Sequence, residues 1–240
     1  MAEYNNVPHG ITEDTPKNIL LGAGTIHSGL SFGEHYAVTA DTEMKSGKTY
    51  YQKTGDEYKE VTESSFVVGN IYYEKFTGWN FAESVLGATS GGTKISIKPE
   101  IKDIELDGAL VKVMNLAVKI GETATMETTY AEATAKNMST VLLGKTTRQV
   151  MSGLDAYITT PKKRIEEGDY IKDLAFVGSY TDGRPVIIIF DYALCTSGLE
   201  VEAKNKENAT IKATFECYAP ISSDCDTLPY RIYELSESTQ

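Results

Sequence analysis

Apolar residues recur at every second position over long stretches of this chain, and in places the alternation changes phase. In KISIKPEIKDIELDG (94–108), Ile95, Ile97 and Ile101 stand on odd positions, whereas Ile104 and Leu106 stand on even ones. Successive side chains of a strand point to opposite faces, so the shift exchanges the covered face for the open one. A bulge or bend between Pro99 and Asp103 would produce it. The following stretch repeats the pattern: Val111 and Val113 are odd, Leu116, Val118 and Ile120 even. Strands that switch face belong to a sheet that curls over or passes from one layer to another.

The period then changes from two to about 3.6. In TTYAEATAKNMSTVLLGK, Thr129 precedes Glu132 with capping-box spacing, and Ala131, Ala135, Met138 and Leu142 follow at helical intervals. Gly144 is placed to stop the helix. This predicts one amphipathic helix over about 130–143, lying on the outside of a sheet.

The last third is again β. Asp182-Gly183 marks a hairpin between DLAFVGSY and RPVIIIFDYAL, and the unbroken run Val186 to Phe190 reads as a strand covered on both faces. Residues 198–220 give a second hairpin, with Ala209, Ile211, Ala213, Phe215 and Cys217 sharing one face. Near the start, NILLGAGTI (18–26) reads as a strand entering the core, and residues 30–48 show no period and read as a loop. Residues 1–16 read as an irregular arm and 236–240 as a loose tail, leaving 17–235 as a single β domain.

One small unit is written twice: GKTYYQKTG (47–55) returns as GNIYYEKFTG (69–78). Tandem tyrosines place one ring on each face of a strand, so Tyr50-Tyr51 and Tyr72-Tyr73 predict strands contacted on both sides. With the turn signal Gly55-Asp56 between them, the stretch reads as an inserted β excursion over about 41–78. Two copies are too few for a repeat array. Surface hairpins, subunit contacts and ligand binding all fit paired aromatics. Choline-binding repeats of cell-wall proteins rest on tryptophans forming a cation cage. This chain has only Trp79.

Composition narrows the class. The 240 residues are 41% hydrophobic and include 15 tyrosines, enough for a sizeable core rich in strand formers. The formal net charge of −11 disfavours a phosphate-gripping surface. The start MAEYNNVPHG carries no signal-peptide pattern and no apolar run is long enough to span a bilayer, so a protein made and folded in the cytosol, without membrane insertion, is expected. Cys195, Cys217 and Cys225 form no framework spacing and read as reduced thiols.

Candidate chemistry is sparse. SGKTY resembles the end of a phosphate loop, but Thr42 stands where that pattern needs glycine, and Tyr50-Tyr51 stand where it needs a helix. GATSGGTK (87–94) lacks phosphate-loop and dinucleotide spacings. His9, His27 and His35 fit no structural zinc pattern. Acids on alternate positions of EIKDIELDG and GLEVE match solvated strand faces better than a glycosidase pair. Nothing in the sequence ties a cysteine to a histidine as nucleophile and base. No catalytic, metal or cofactor site is expected.

Three stretches carry a resemblance: PKNILLGAG (16–24), LGATSGGTKISIKPEIKDIELDGA (86–109) and DLAFVGSYTDGRPVIIIFDYALCTSGLEVEAKNKENATIKATFECYAP (173–220). Together they resemble the major tail tube proteins of long, non-contractile-tailed phages (siphophages) of Gram-positive hosts. The resemblance implies an antiparallel β-sandwich or barrel-like domain with one flanking helix. It also implies homo-hexameric rings stacked into a virion tail tube, assembled in the host cytoplasm. The tube would be the conduit for DNA ejection, with a tape measure protein, a tail terminator and a distal tail protein as partners. No catalytic residues come with it.

An acidic lumen would keep DNA mobile, and Glu100, Asp103, Glu105 and Asp107 are candidates for facing it. The excursion looks like an addition to the usual pattern, with Tyr50, Tyr51, Tyr72, Tyr73 and Trp79 as candidate subunit contacts. The alternatives are a cell-wall glycan-binding β-sandwich that uses the tyrosines, an enzyme such as a glycosidase or thiol hydrolase, and the tube of a contractile tail or secretion system.

Overall fold

The structure is a computed structural model and describes residues 15–108, 110–132, 134–202, 209–222 and 225–235. The protein is mainly β, with antiparallel pairing throughout the described strands. It divides into two compact units, one formed by 1–29 with 85–240 and the other by Leu30–Ser84. The 1–14 part of the expected arm and the tail 236–240 lie outside the described residues; Thr15–Asn18 form a short 3-10 turn.

The larger unit holds an eight-stranded sheet. Its main path runs β1 (Leu20–His27), β10 (Ile171–Tyr180), β11 (Pro185–Cys195), β13 (Thr210–Cys217), β7 (Ala117–Tyr130), β6 (Thr89–Asp103). β12 (Glu200–Glu202) pairs with β13, and β14 (Tyr230–Glu234) pairs with β11. The path curls back on itself: the Leu86 amide donates to the Ile26 carbonyl at 2.9 Å, so the segment entering β6 meets β1, the opposite end of the path. This is a sandwich-like solution, with the covered faces turned inward around Met126, Leu174, Phe190 and Phe215.

β11 is the hub of the curl. Val186–Phe190 pair with β14, while Ala193–Cys195 pair with β13. The core face flips at this switch, because Phe190 belongs to the same core as Ala193 and Cys195. A regular period of two would put 190 and 193 on opposite sides. Alongside, β10 flips at Asp173, which has φ 47°: Ile171 packs against the core that holds Leu174 and Phe176. Strands change layers at such corners. The run Val186–Phe190 is largely buried, as a two-sided cover requires.

A bulge falls at the expected place, but its extra residue is on β7, so β6 keeps its own alternation, and Ile104 and Leu106 lie beyond its end, exposed. Register slips between Glu100 and Ile101, whose partners are Gly121 and Lys119, so Ile120 is the extra residue of a bulge. The expected continuation as a strand at 111–113 does not form. Residues 104–116 connect β6 to β7, closed by the Ile104 amide donating to the Leu116 carbonyl at 2.8 Å. Asp107-Gly108, with Gly108 at φ 92°, turns the chain there before a second strand can start.

The helix is shorter than expected. It spans Ala135–Leu142 (α2), with Thr134 as N-cap accepting from the Asn137 amide at 3.1 Å. Thr129 caps nothing, because the period of two persists to the end of β7. Ala124, Met126, Thr128 and Tyr130 are all buried on one face, and burial of those side chains outweighs the capping signal. Leu143 takes the left-handed stop (φ 50°), and Gly144 opens a hairpin of β8 (Gly144–Met151) and β9 (Leu154–Pro161).

The smaller unit is a four-stranded sheet in the order β2 (Phe32–Val38), β5 (Tyr73–Trp79), β3 (Tyr50–Thr54), β4 (Glu57–Val61), followed by one helical turn, α1 (Phe81–Ser84). It encloses the 41–78 segment and begins earlier. The reading of 30–48 as loop fails at β2, which pairs with β5 from Phe32↔Trp79 to Val38↔Tyr73. β2 lacks a clean polar–apolar alternation, since Phe32 and Val38 are exposed on it; the ladder holds it in place.

Candidate functional site

The tyrosine pairs split as the period of two requires. Tyr50 and Tyr72 are buried, and with Val61, Met44 and Phe66 they form one core of the smaller unit. Phe66 lies parallel to Tyr72 at 4.1 Å and edge-on to Tyr50 at 5.6 Å. The Tyr50 hydroxyl donates to Asp41 at 2.9 Å, and Asp41 is also bound by Lys45 and Lys48. Those partners, led by Lys45, hold the Asp41 carboxyl well below the usual carboxylate range. The Tyr72 hydroxyl accepts from the Val67 amide at 2.7 Å.

Tyr51 and Tyr73 lie on the opposite face. They face each other in register, and Tyr36 and Tyr58 join them. Tyr36 and Tyr58 stack at 4.0 Å, which closes a four-ring cluster. Trp79 packs edge-on against Phe32 at 5.5 Å. The repeated tyrosine unit thus builds two small aromatic cores, one per face.

The four acids behave differently from one another. Glu100 and Asp103 lie on β6, while Glu105 and Asp107 fall in the connection beyond it. Asp103 pairs with Lys112 at 2.5 Å. Glu105 and Asp107 are exposed.

Interleaved with these acids is a run of exposed apolar side chains. Leu110 is 99% exposed, Met114 85% and Val111 77%, and Ile101, Leu106 and Ile120 are exposed beside them. Reading 111–113 as a strand hid this surface, because it assigned those side chains a covered face. The available signal was apolar density flanking a turn, with no second apolar partner to cover it. A second exposed apolar tip, Val150, Met151 and Leu154, caps the β8–β9 hairpin. Scattered single apolar residues are ordinary on a surface; a contiguous arm marks an interaction site.

His27 is buried with its Nε2 2.7 Å from the Thr25 hydroxyl, His35 Nε2 lies 3.1 Å from the Ser31 carbonyl, and His9 falls outside the described residues. Cys195 and Cys217 are buried and Cys225 is exposed. Burial, with Asp191 and Glu122 nearby, pushes the Cys217 thiol up to about 12. Among the described residues no group of three or more His, Cys, Asp or Glu is placed to hold a metal, and no helix is long and apolar enough to cross a membrane. No known protein-family model matches the chain, and no curated protein matches it.

Proposed function

We propose that this chain is a self-assembling structural subunit: a major tail tube protein of the long, non-contractile-tailed phage type, whose hexameric rings stack into a conduit for DNA. The observation that carries the reading is the apolar arm at 101–120, in which Leu110, Val111 and Met114 stand almost wholly in water. Each such side chain gains about 1.5–3 kcal/mol when fully covered. Several together offset a large share of the roughly 4–15 kcal/mol that association costs in lost freedom. An exposed apolar connection at the end of the β6–β7 pair is suited to a head-to-tail contact, which closes into rings or propagates as a filament.

The acids support the same reading. Glu100, Glu105 and Asp107 are exposed on the same stretch as the apolar residues, and the chain carries a net charge of −11. A wall of that sign leaves DNA unbound. The rival reading, glycan binding through the paired tyrosines, asks for open ring faces; Tyr50 and Tyr72 have none, and the half-buried Tyr51 and Tyr73 are packed against Tyr36 and Tyr58.

Negative-stain microscopy of the purified protein tests the proposal. Rings or tubes are expected, and the double substitution Leu110→Lys, Met114→Lys is expected to give isolated subunits with unchanged circular dichroism. A native protein that stays monomeric at high concentration would overturn it.

A further inference from the structure

Three tyrosines on neighbouring strands meet at one end of the large sheet. Tyr170 precedes β10, Tyr192 lies within β11, and Tyr218 follows β13. The Tyr218 amide donates to the Tyr192 carbonyl at 2.9 Å, extending the ladder and fixing these two backbones side by side. Tyr170 and Tyr218 stand at 74° with centroids 5.6 Å apart, two walls of a corner. The turn carrying Glu166, Glu167 and Tyr170 is held by Asp169, whose carboxylate accepts from the Glu166 amide at 2.9 Å and from Lys162 at 2.6 Å. Together they line a cavity of about 500 Å³, within the range of small-ligand sites.

The chemistry of the lining selects the ligand. Its charged side chains are the carboxylates of Glu166 and Glu167; Lys162, outside the lining, reaches Glu166 at 3.5 Å, which leaves Glu167 as the carboxylate to meet a ligand and disfavours phosphates and other anions. Aromatic faces carry negative potential and attract cations, most of all where two rings form a box. The site already shows this preference at its edge, where the Lys172 ammonium sits over the Tyr192 ring at 6.0 Å. Burial, with Glu216 and Tyr170 nearby, pushes the Tyr218 phenol up, so its ring stays neutral over the physiological range.

We propose that this cavity binds an organic cation, an alkylammonium group seated against Tyr170 and Tyr218 with Glu167 neutralising it. The same chemistry comes from a free quaternary amine or from a lysine side chain of another copy. The site lies apart from the apolar arm, and its test does not depend on assembly.

The full-length protein is titrated by calorimetry with choline, with n-butylammonium as the lysine mimic, and with 3,3-dimethylbutan-1-ol, the neutral isostere of choline. Saturable binding of at least one cation is expected, with the isostere about 10-fold weaker or worse. Choline binding tighter than n-butylammonium assigns a free quaternary amine; the reverse assigns a lysine side chain. Tyr218→Phe keeps the ring face and is expected to bind within about 3-fold of native. Tyr218→Leu is expected to lose roughly 5- to 30-fold, and Glu167→Gln several-fold. Equal binding of the neutral isostere, an unchanged affinity in Tyr218→Leu, or no saturation by either cation overturns the assignment.

Discussion

Tyr51 on β3 lies directly opposite Tyr73 on β5, and this register pair joins the β2–β5 half of the smaller unit to the β3–β4 half. One backbone pair is a slender connection between two strand pairs. The aromatic cluster compensates: Tyr36 reaches Tyr51 at 5.0 Å, and Tyr58 reaches Tyr73 at 5.1 Å, so rings from both halves interlock over the join. Aromatic pairs of this geometry contribute about 0.5–1.5 kcal/mol each beyond their buried area. Tyr51→Ala removes one ring from the join and is expected to destabilise the smaller unit by about 2 kcal/mol. Hydrogen exchange should rise across 50–61 and stay unchanged at Phe176 and Phe190. An equal rise in both units would contradict this account.

Where β10 and β11 change face, Arg231 donates to Asp173 and to Asp191, each at 2.8 Å. Burial raises the Asp173 carboxyl, Arg231 lowers it and Asp191 raises it again, with a net upward displacement. The ionised form is therefore held at a cost that disappears as pH falls through the raised value. Asp173 also sits at φ 47°, a conformation that asparagine tolerates well. Asp173→Asn is expected to be neutral or stabilising by up to about 1 kcal/mol, the trio being partly exposed and screened. Arg231→Leu leaves two carboxylates facing each other and is expected to lower the melting temperature. Thermal melts at neutral pH decide it; a destabilised Asp173→Asn would show that the pair is net favourable.

The Asp41 knot gives the smaller unit its own acid response. Its folded carboxyl titrates below the ordinary carboxylate range, so its contribution is full above about pH 4, the unfolded value, and is lost as pH falls below it. Lys48, raised to about 12 chiefly by Glu74, stays charged throughout. Acidification from pH 5 to 2.5 should expose the backbone of 41–50 ahead of the β10–β11 hairpin, and Asp41→Asn should abolish the difference. Hydrogen exchange at the two pH values measures it.

How much of this was legible beforehand follows from the range of the forces. The Asp182-Gly183 hairpin and the covered face of β13 are local consequences of a period of two, and the structure has both; the phase change at Pro99–Asp103 coincides with a bulge whose extra residue lies on β7. β2 escaped because its register comes from β5, some forty residues later in the chain, and not from its own pattern. The helix start was misplaced because Thr129 and Thr134 are equally good caps, and only the buried Tyr130 decides between them. The apolar arm escaped for the opposite reason. Apolar side chains imply burial only when something covers them, and the described residues leave these open.

The smaller unit begins and ends on paired strands, Phe32 opposite Trp79, so the chain leaves and re-enters it at neighbouring positions. The larger unit makes the matching closure, with His27 bridged to Val85. Each unit has its own core. Removing 41–78 alone would delete β3, β4 and most of β5 and strand β2 without its partner. Replacing 31–83 by a short Gly-Ser linker respects both closures, and the remaining chain is expected to keep its melting temperature within a few degrees. Microscopy of this variant then separates two roles for the unit. If it bridges subunits, rings or tubes become fewer and less resistant to dilution. Tubes of native length and stability would reject bridging and leave the unit as surface decoration, with the 101–120 arm carrying assembly alone.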